Sequence, residues 1–138
     1  MNARIDAPVL SSVLPITDQL LGRVEGMMYR LVQMNPLHSP QAPLTLPSSA
    51  VAAAVYHLQS GGRRIRARLA LHAGIALGLS ADNSVALATV AELLHNASLV
   101  HDDLQDRDQY RRGVKTVWHT FGDNIAICAG DLLLSAAY

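Results

Sequence analysis

Four aspartates crowd the stretch "ELLHNASLVHDDLQDRDQYRRG", Glu92 to Gly113, and two arginines close it. A helix advances about 100° and about 1.5 Å per residue, so the i, i+3 and i+4 spacings of Asp102, Asp103 and Asp106 predict three carboxylates converging on one face. His95, seven residues before Asp102, falls on the same stripe about 10 Å further back. Two carboxylates about 5 Å apart repel by roughly 3 kcal/mol at an effective dielectric near 20. No lysine or arginine lies between Asp102 and Asp106 to offset that. Oxygen-only ligands suit a hard divalent cation such as Mg2+, which shares its sphere with substrate phosphates. A solvated acidic helix end explains the aspartates equally well, and acid near a helix C-terminus opposes the dipole.

Basic residues flank the acid. Arg111, Arg112 and Lys115 follow it, and "GGRRIRAR" precedes it, placing Arg63 and Arg66 three apart on an expected helical turn behind two glycines. Glycines let a backbone approach an anion closely, guanidinium forks match phosphate oxygens, and a helix starting there adds free N–H groups. A nucleic-acid or membrane patch, or a solvated face, is the alternative for the arginines. The run is short and the whole chain carries no net charge, which argues against nucleic acid as the main partner. Arginines and aspartates on either side of an apolar helix call for a ligand with phosphates and an apolar body.

Helices must position these groups. At 138 residues with 50% hydrophobic and 4% aromatic content, rich in Ala and Leu, the chain is one domain of predominantly helical character. Residues 1–16 read as a flexible arm. The spacing of Leu20, Leu21, Val24, Met27, Met28, Leu31 and Met34 predicts an amphipathic helix over 17–34, capped by Thr17, with the methionines as packing residues. Four prolines in 35–49 mark a loop. Helices are expected from Ser48 or Ser49 to Gln59, over 63–78, from Ser80 or Asp82 to Gln105, and from Asn124 onward. The 60–62 turn breaks the first pair, and Gly113 and Gly122 punctuate the segment between the last two.

The ordered set "GGRRIR" (61–66), "ELLHNASLVHDD" (92–103), "DDLQD" (102–106), "RRG" (111–113), "HTFG" (119–122) and "AGD" (129–131) resembles the trans-isoprenyl diphosphate synthases, or polyprenyl synthetase family, from about residue 50 to the end. The resemblance implies an all-α bundle of the isoprenoid-synthase type, here its N-terminal part over 17–138, since members are usually about twice this length and homodimeric. It implies a Mg2+-dependent prenyltransferase that joins an allylic diphosphate to isopentenyl diphosphate. Asp102, Asp103 and Asp106 would hold Mg2+ against the allylic diphosphate, with Arg111 on the same group. Arg63, Arg66, His95 and Arg112 would bind the diphosphate of isopentenyl diphosphate.

Three features depart from the family. Arg63 stands where lysine is usual, and "GVKT" lacks a proline often found before the threonine. The second aspartate-rich motif is missing from the sequence, so the 138-residue piece alone is expected to bind diphosphate without completing the chemistry, and a non-catalytic or regulatory subunit is the alternative function. The family's residues four and five before the first aspartate set product length. Here they are Ser98, one turn below Asp102, and Ala97, rotated toward a neighbouring wall; both are small, which favours products of C20 or longer.

Other residues carry less. Asp131 is expected buried and hydrogen-bonded, and Cys128 a core thiol. Glu92 is read either as orienting the His95 imidazole or as a surface or core-edge residue, and His101 as packing or bonding behind Asp102. His57 and His72 lack ligand-spaced partners for zinc. The apolar stretches are too short to span a bilayer, and with no signal-type leader at the start the cytoplasm is the expected setting. An exposed apolar face, covered by further protein, is expected of a partial bundle.

Overall fold

The computed structural model describes residues 7–34 and 49–138, with side chains from residue 17 onward. Six helices run in chain order: α1 (Ala7–Gln33), α2 (Ser49–Gln59), α3 (Ile65–Ala76), α4 (Ala81–Asp106), α5 (Val117–Phe121) and α6 (Asp123–Ala137). A two-stranded hairpin, β1 (Tyr110–Arg111) and β2 (Val114–Lys115), separates α4 from α5. The fold is all-α apart from this hairpin.

Helix α1 begins ten residues ahead of the expected boundary, so helix replaces the flexible arm over 7–16. Thr17 is a buried interior residue instead of the cap. Pro8 falls in the first turn, where a missing N–H leaves no intrahelical bond unmade. Residues 1–6 and the expected loop over 35–48 lie outside the described residues. Of the amphipathic pattern Leu20, Val24 and Met28 are buried, joined by Val32 outside it, whereas Leu31 and Met34 face outward, so Met34 is not the packing residue expected.

Helix α4 is the centre. It packs most extensively against α6 and α3, and also receives α1. Ser80 caps it, its hydroxyl accepting the Asn83 N–H at 3.2 Å. Val85, Ala88, Leu93, Ala97 and Val100 are fully buried or nearly so, a stripe wide enough to serve two neighbours. Against α6 the contact is close, because Gly130 leaves room for the His101 ring. Asp131 and Cys128 are exposed, not buried as expected, because the inner face of α6 is taken by Ala126, Ala129, Gly130 and Leu133. Asp131 instead lies 3.5 Å from His101 Nε2.

Helix α3 starts two residues later than its pattern predicts. Arg64 is its N-cap in the left-handed conformation, φ 48°, and Arg63 lies in the preceding turn. Helices α3 and α4 cross where Gly74 meets Ser84. A Cβ at Gly74 would lie 2.7 Å from Ser84 Oγ, 3.1 Å from its Cβ and 3.3 Å from its Cα. Backbone on the far side cannot retreat without moving α4.

Gly74→Ala therefore tests that crossing. Alanine gains about 1 kcal/mol in helix propensity, while overpacking costs about 1–3 kcal/mol. A net loss of about 1 kcal/mol is expected in urea denaturation, a sum of those two effects. A stabilised variant would show that α3 and α4 separate freely.

Candidate functional site

The turn between α2 and α3 and the middle of α4 enclose a cavity of about 590 Å³, lined by Gly62, Arg63, Arg64, Ile65, Arg66, Glu92, His95 and Arg112. Three separate segments thus deliver the four groups expected to bind one diphosphate, Arg63, Arg66, His95 and Arg112. Arg66 Nη1 lies 3.0 Å from His95 Nε2. Burial, then the Arg66 charge, lowers the His95 pKa below its ordinary value. The imidazole is accordingly neutral near pH 7, with one ring N–H to donate.

Arg112 reaches the site from the hairpin. The two-residue turn Arg112–Gly113 has positive φ at both positions, 54° and 80°, as a type I′ hairpin turn requires. For a non-glycine residue that conformation costs about 1–2 kcal/mol. The Arg112 guanidinium donates to the Gly61 carbonyl, which holds the strained residue in place. Gly62, at φ 139°, permits the approach: a Cβ there would lie 2.5 Å from Arg112 Nη1. The hairpin itself is anchored at several points. Thr116 Oγ1 and Trp118 Nε1 each donate to the Asp108 carbonyl at 2.8 Å, and Tyr56 Oη donates to the Lys115 carbonyl at 2.9 Å. Arg107, which ends α4 in the left-handed conformation, bonds Asp123 and stacks over the Trp118 ring at 5.1 Å.

The three aspartates do not share a face as expected. Asp102 and Asp106 are exposed, while Asp103 is turned inward and 1% exposed. About 100° separates consecutive helical positions, and the buried stripe of α4 claims Asp103. Arg111 meets it there: Nε and Nη2 donate to Asp103 Oδ1 at 2.7 and 2.6 Å. That bond, chiefly, holds the Arg111 pKa above its ordinary value. Asp103 Oδ2 is buried with no hydrogen-bond partner among the described residues. The Asp102 and Asp106 carboxylates are exposed on either side of it, with the Asp102 charge acting on Arg111.

Two strongly held residues escape any reading of spacing. Arg64 is 7% exposed and donates to Glu25, Glu92 and the Leu58 carbonyl. Glu92, 3% exposed, does not contact His95 through a hydrogen bond; its Oε2 accepts the Ala67 N–H at 3.2 Å. One of the first-turn N–H groups of α3 is therefore already taken. No spacing rule separates Arg64 from its neighbours, because the backbone leaves the helical path at that residue. Of the product-length pair, Ser98 is exposed on the Asp102 face with its hydroxyl on the His95 carbonyl, whereas Ala97 is fully buried in the core.

His57 lies behind the site on α2, 4% exposed. Burial, then the Arg111 charge, lowers its pKa from 6.5 to about 4. Between those values the unfolded chain binds a proton that the folded one refuses, so stability falls as pH drops from 6.5 toward 4 and the loss saturates below. Between pH 7 and pH 5 this residue removes about 2 kcal/mol. His57→Leu should flatten the pH dependence of urea unfolding by that amount; an unchanged slope would show that His57 does not stay neutral in the fold.

The family model described as Polyprenyl synthetase matches residues 48–138. Over 92 residues the chain is 42% identical to a geranylgeranyl pyrophosphate synthase of Geoglobus acetivorans, covering 67% of this chain and 29% of that protein. Over 77 residues it is 47% identical to a (2E,6E)-farnesyl diphosphate synthase of Mycobacterium bovis, covering 56% of this chain and 21% of that one. The solved geranylgeranyl pyrophosphate synthetase of the archaeon Geoglobus acetivorans superposes with a TM-score of 0.73 at 34% identity, over 88% of this chain and 37% of the other. The chain spans less than a third of the length of these two curated relatives.

Proposed function

This chain belongs to the polyprenyl synthetase family, and on that premise we propose that it forms the substrate-binding part of a trans-prenyltransferase joining an allylic diphosphate to isopentenyl diphosphate. The observation that carries the reading is the cavity that gathers Arg63, Arg66, His95 and Arg112 from three segments beside the aspartate-bearing helix. The relatives are named as synthases, which favours an enzyme over a non-catalytic subunit.

In this reading Arg63, Arg66, Arg112 and the neutral His95 bind the diphosphate of isopentenyl diphosphate, and Arg111 contacts the allylic diphosphate. Asp102, Asp103 and Asp106 would hold Mg2+; the unpartnered Asp103 Oδ2 and two exposed carboxylates supply the hard oxygen donors it prefers. Bound there, the metal would supply charge neutralisation to the allylic diphosphate. As the allylic C–O bond breaks, the Arg111 guanidinium acts on the same charge, stabilising the leaving group more than the ground state. The isopentenyl double bond then attacks the allyl cation, forming the new C–C bond, and the proton lost afterwards passes to diphosphate oxygen. Apolar side chains keep water from the cation. Ser98 leaves space one turn below Asp102, in keeping with products of C20 or longer. Among the described residues no helix is long and apolar enough to cross a membrane. A cytoplasmic homodimer is the assembly proposed, and exposed apolar residues such as Leu69 and Ile127 support a further protein surface there.

Calorimetry with geranyl diphosphate tests the site. Binding should require Mg2+, and Asp102→Asn should weaken it by roughly tenfold, the loss expected on removing one charged ligand. Metal-independent binding, or none, would overturn the assignment.

Product length is tested on the complete native gene product with labelled isopentenyl diphosphate. The wild type should reach C20 or beyond, and Ser98→Phe should shift the distribution toward C15, since a phenyl ring fills the space below Asp102. A wild type that stops at C15, or an unchanged distribution in the variant, removes Ser98 as the open floor.

A further inference from the structure

The most deeply buried ion pair of the site lies in the wall of the cavity. Arg64 and Glu92 have side chains 6% and 5% exposed, with Nη1 3.5 Å from Oε1. The guanidinium is also tied to the Leu58 carbonyl at 3.0 Å and to Glu25 at 3.1 Å. Glu92 Oε2 holds the Ala67 N–H, and Asn96 Nδ2 lies 3.4 Å from Oε1. One carboxylate on α4 therefore grips both the first turn of α3 and the residue that precedes it. That residue sits at φ 48°, a backbone state that persists only where the surroundings impose it.

Electrostatics alone makes Glu92 a poor choice for this place. A carboxylate in the lining of a cavity built to attract anions weakens the very potential that Arg63, Arg66 and Arg112 create. A role in attraction is excluded by its sign, and a role in shape remains. We propose that Glu92 is a positioning residue: its carboxylate, seated between Arg64 and the N-terminus of α3, holds the Gly61–Arg66 turn in the form that binds diphosphate. The proposal deepens the reading of the cavity as a diphosphate site and rests on it. Glu92 and His95 are one turn apart on α4, so a single helix fixes Arg64 from below and Arg66 from the side.

The two roles predict opposite signs. Removing a negative charge from the lining should tighten anion binding if only charge matters, whereas losing the grip on the turn should weaken it. With inorganic diphosphate as the probe in calorimetry, Glu92→Ala is expected to bind roughly tenfold more weakly than the wild type. Glu92→Gln keeps one oxygen for the Ala67 N–H and should fall between the two. Limited trypsin digestion of the ligand-free chain gives a readout independent of the ligand. Cleavage within residues 61–66 should be faster in Glu92→Ala, with helix content by circular dichroism unchanged. Should Glu92→Ala lose helix content, Glu92→Gln carries both measurements. Tighter diphosphate binding, or wild-type trypsin cleavage, in the folded variants would overturn the proposal. Failure of the wild type to bind diphosphate would instead overturn the reading of the cavity, and with it the step from shape to binding, while the trypsin result still decides whether Glu92 holds the turn.

Discussion

Like charges gathered at one opening repel, and two guanidinium groups about 6 Å apart do so by roughly 3 kcal/mol at an effective dielectric near 20. The chain keeps its arginines together by giving almost every one a partner on its inner side. Arg64 has Glu25, Glu92 and the Leu58 carbonyl, Arg66 has His95, Arg111 has Asp103, and Arg112 has the Gly61 carbonyl. Only Arg63 among the cavity's arginines has no partner among the described residues. Three of those partners, Glu92, His95 and Asp103, lie on α4. The helix is thus a rail along which the positive groups are hung, and its burial between α3 and α6 keeps the rail straight.

Mobility is removed where a loop would otherwise let the charges drift apart. The hairpin carrying Arg111 and Arg112 is only two residues per strand, too short to stand alone. Its position comes from Thr116 and Trp118 converging on one carbonyl, from Tyr56 on Lys115, and from the edge-to-face contact of Tyr56 with Phe121 at 5.4 Å. Left-handed backbone at Arg64, Arg107 and Arg112 marks three places where the chain turns sharply. In each case the strained residue is itself the arginine that is bonded, so the side chain restrains its own backbone.

Regular elements were legible in the sequence because apolar periodicity reports directly on burial. The start of α4 at Ser80, one of two expected positions, and the end of α2 before the 60–62 turn follow from spacing and turn chemistry. The cavity residues Arg63, Arg66, His95 and Arg112 came from motif order, which records a relation between segments that no local pattern contains. Rotation and direction stayed hidden. Asp103 and Asp102 are neighbours, yet one is buried and the other exposed, and the four-residue spacing of the motif does not reveal which. Ala97 and Ser98 part in the same way. Asp131 and Cys128 lie on the outer side of α6 because an apolar neighbourhood in sequence does not say which side meets α4. The roles of Arg64 and Glu92 are invisible to spacing because a left-handed cap reverses the expected direction of a side chain.

Because Arg66 and Arg112 are already bonded within the chain, an anion entering the cavity would meet bare charge only at Arg63. It enters an exchange. A guanidinium that turns toward a phosphate oxygen must share or release the imidazole, carbonyl or carboxylate it holds, so the net gain per contact is a difference between two bonds of similar kind. A singly charged ion with few oxygens replaces one contact at a time and gains little. A group that offers several oxygens at once can satisfy Arg63, Arg66 and Arg112 together, and only then does the sum exceed what is given up. If the cavity takes the proposed diphosphate, the internal bonds would therefore also act as a discount on weak ligands and favour multivalent anions.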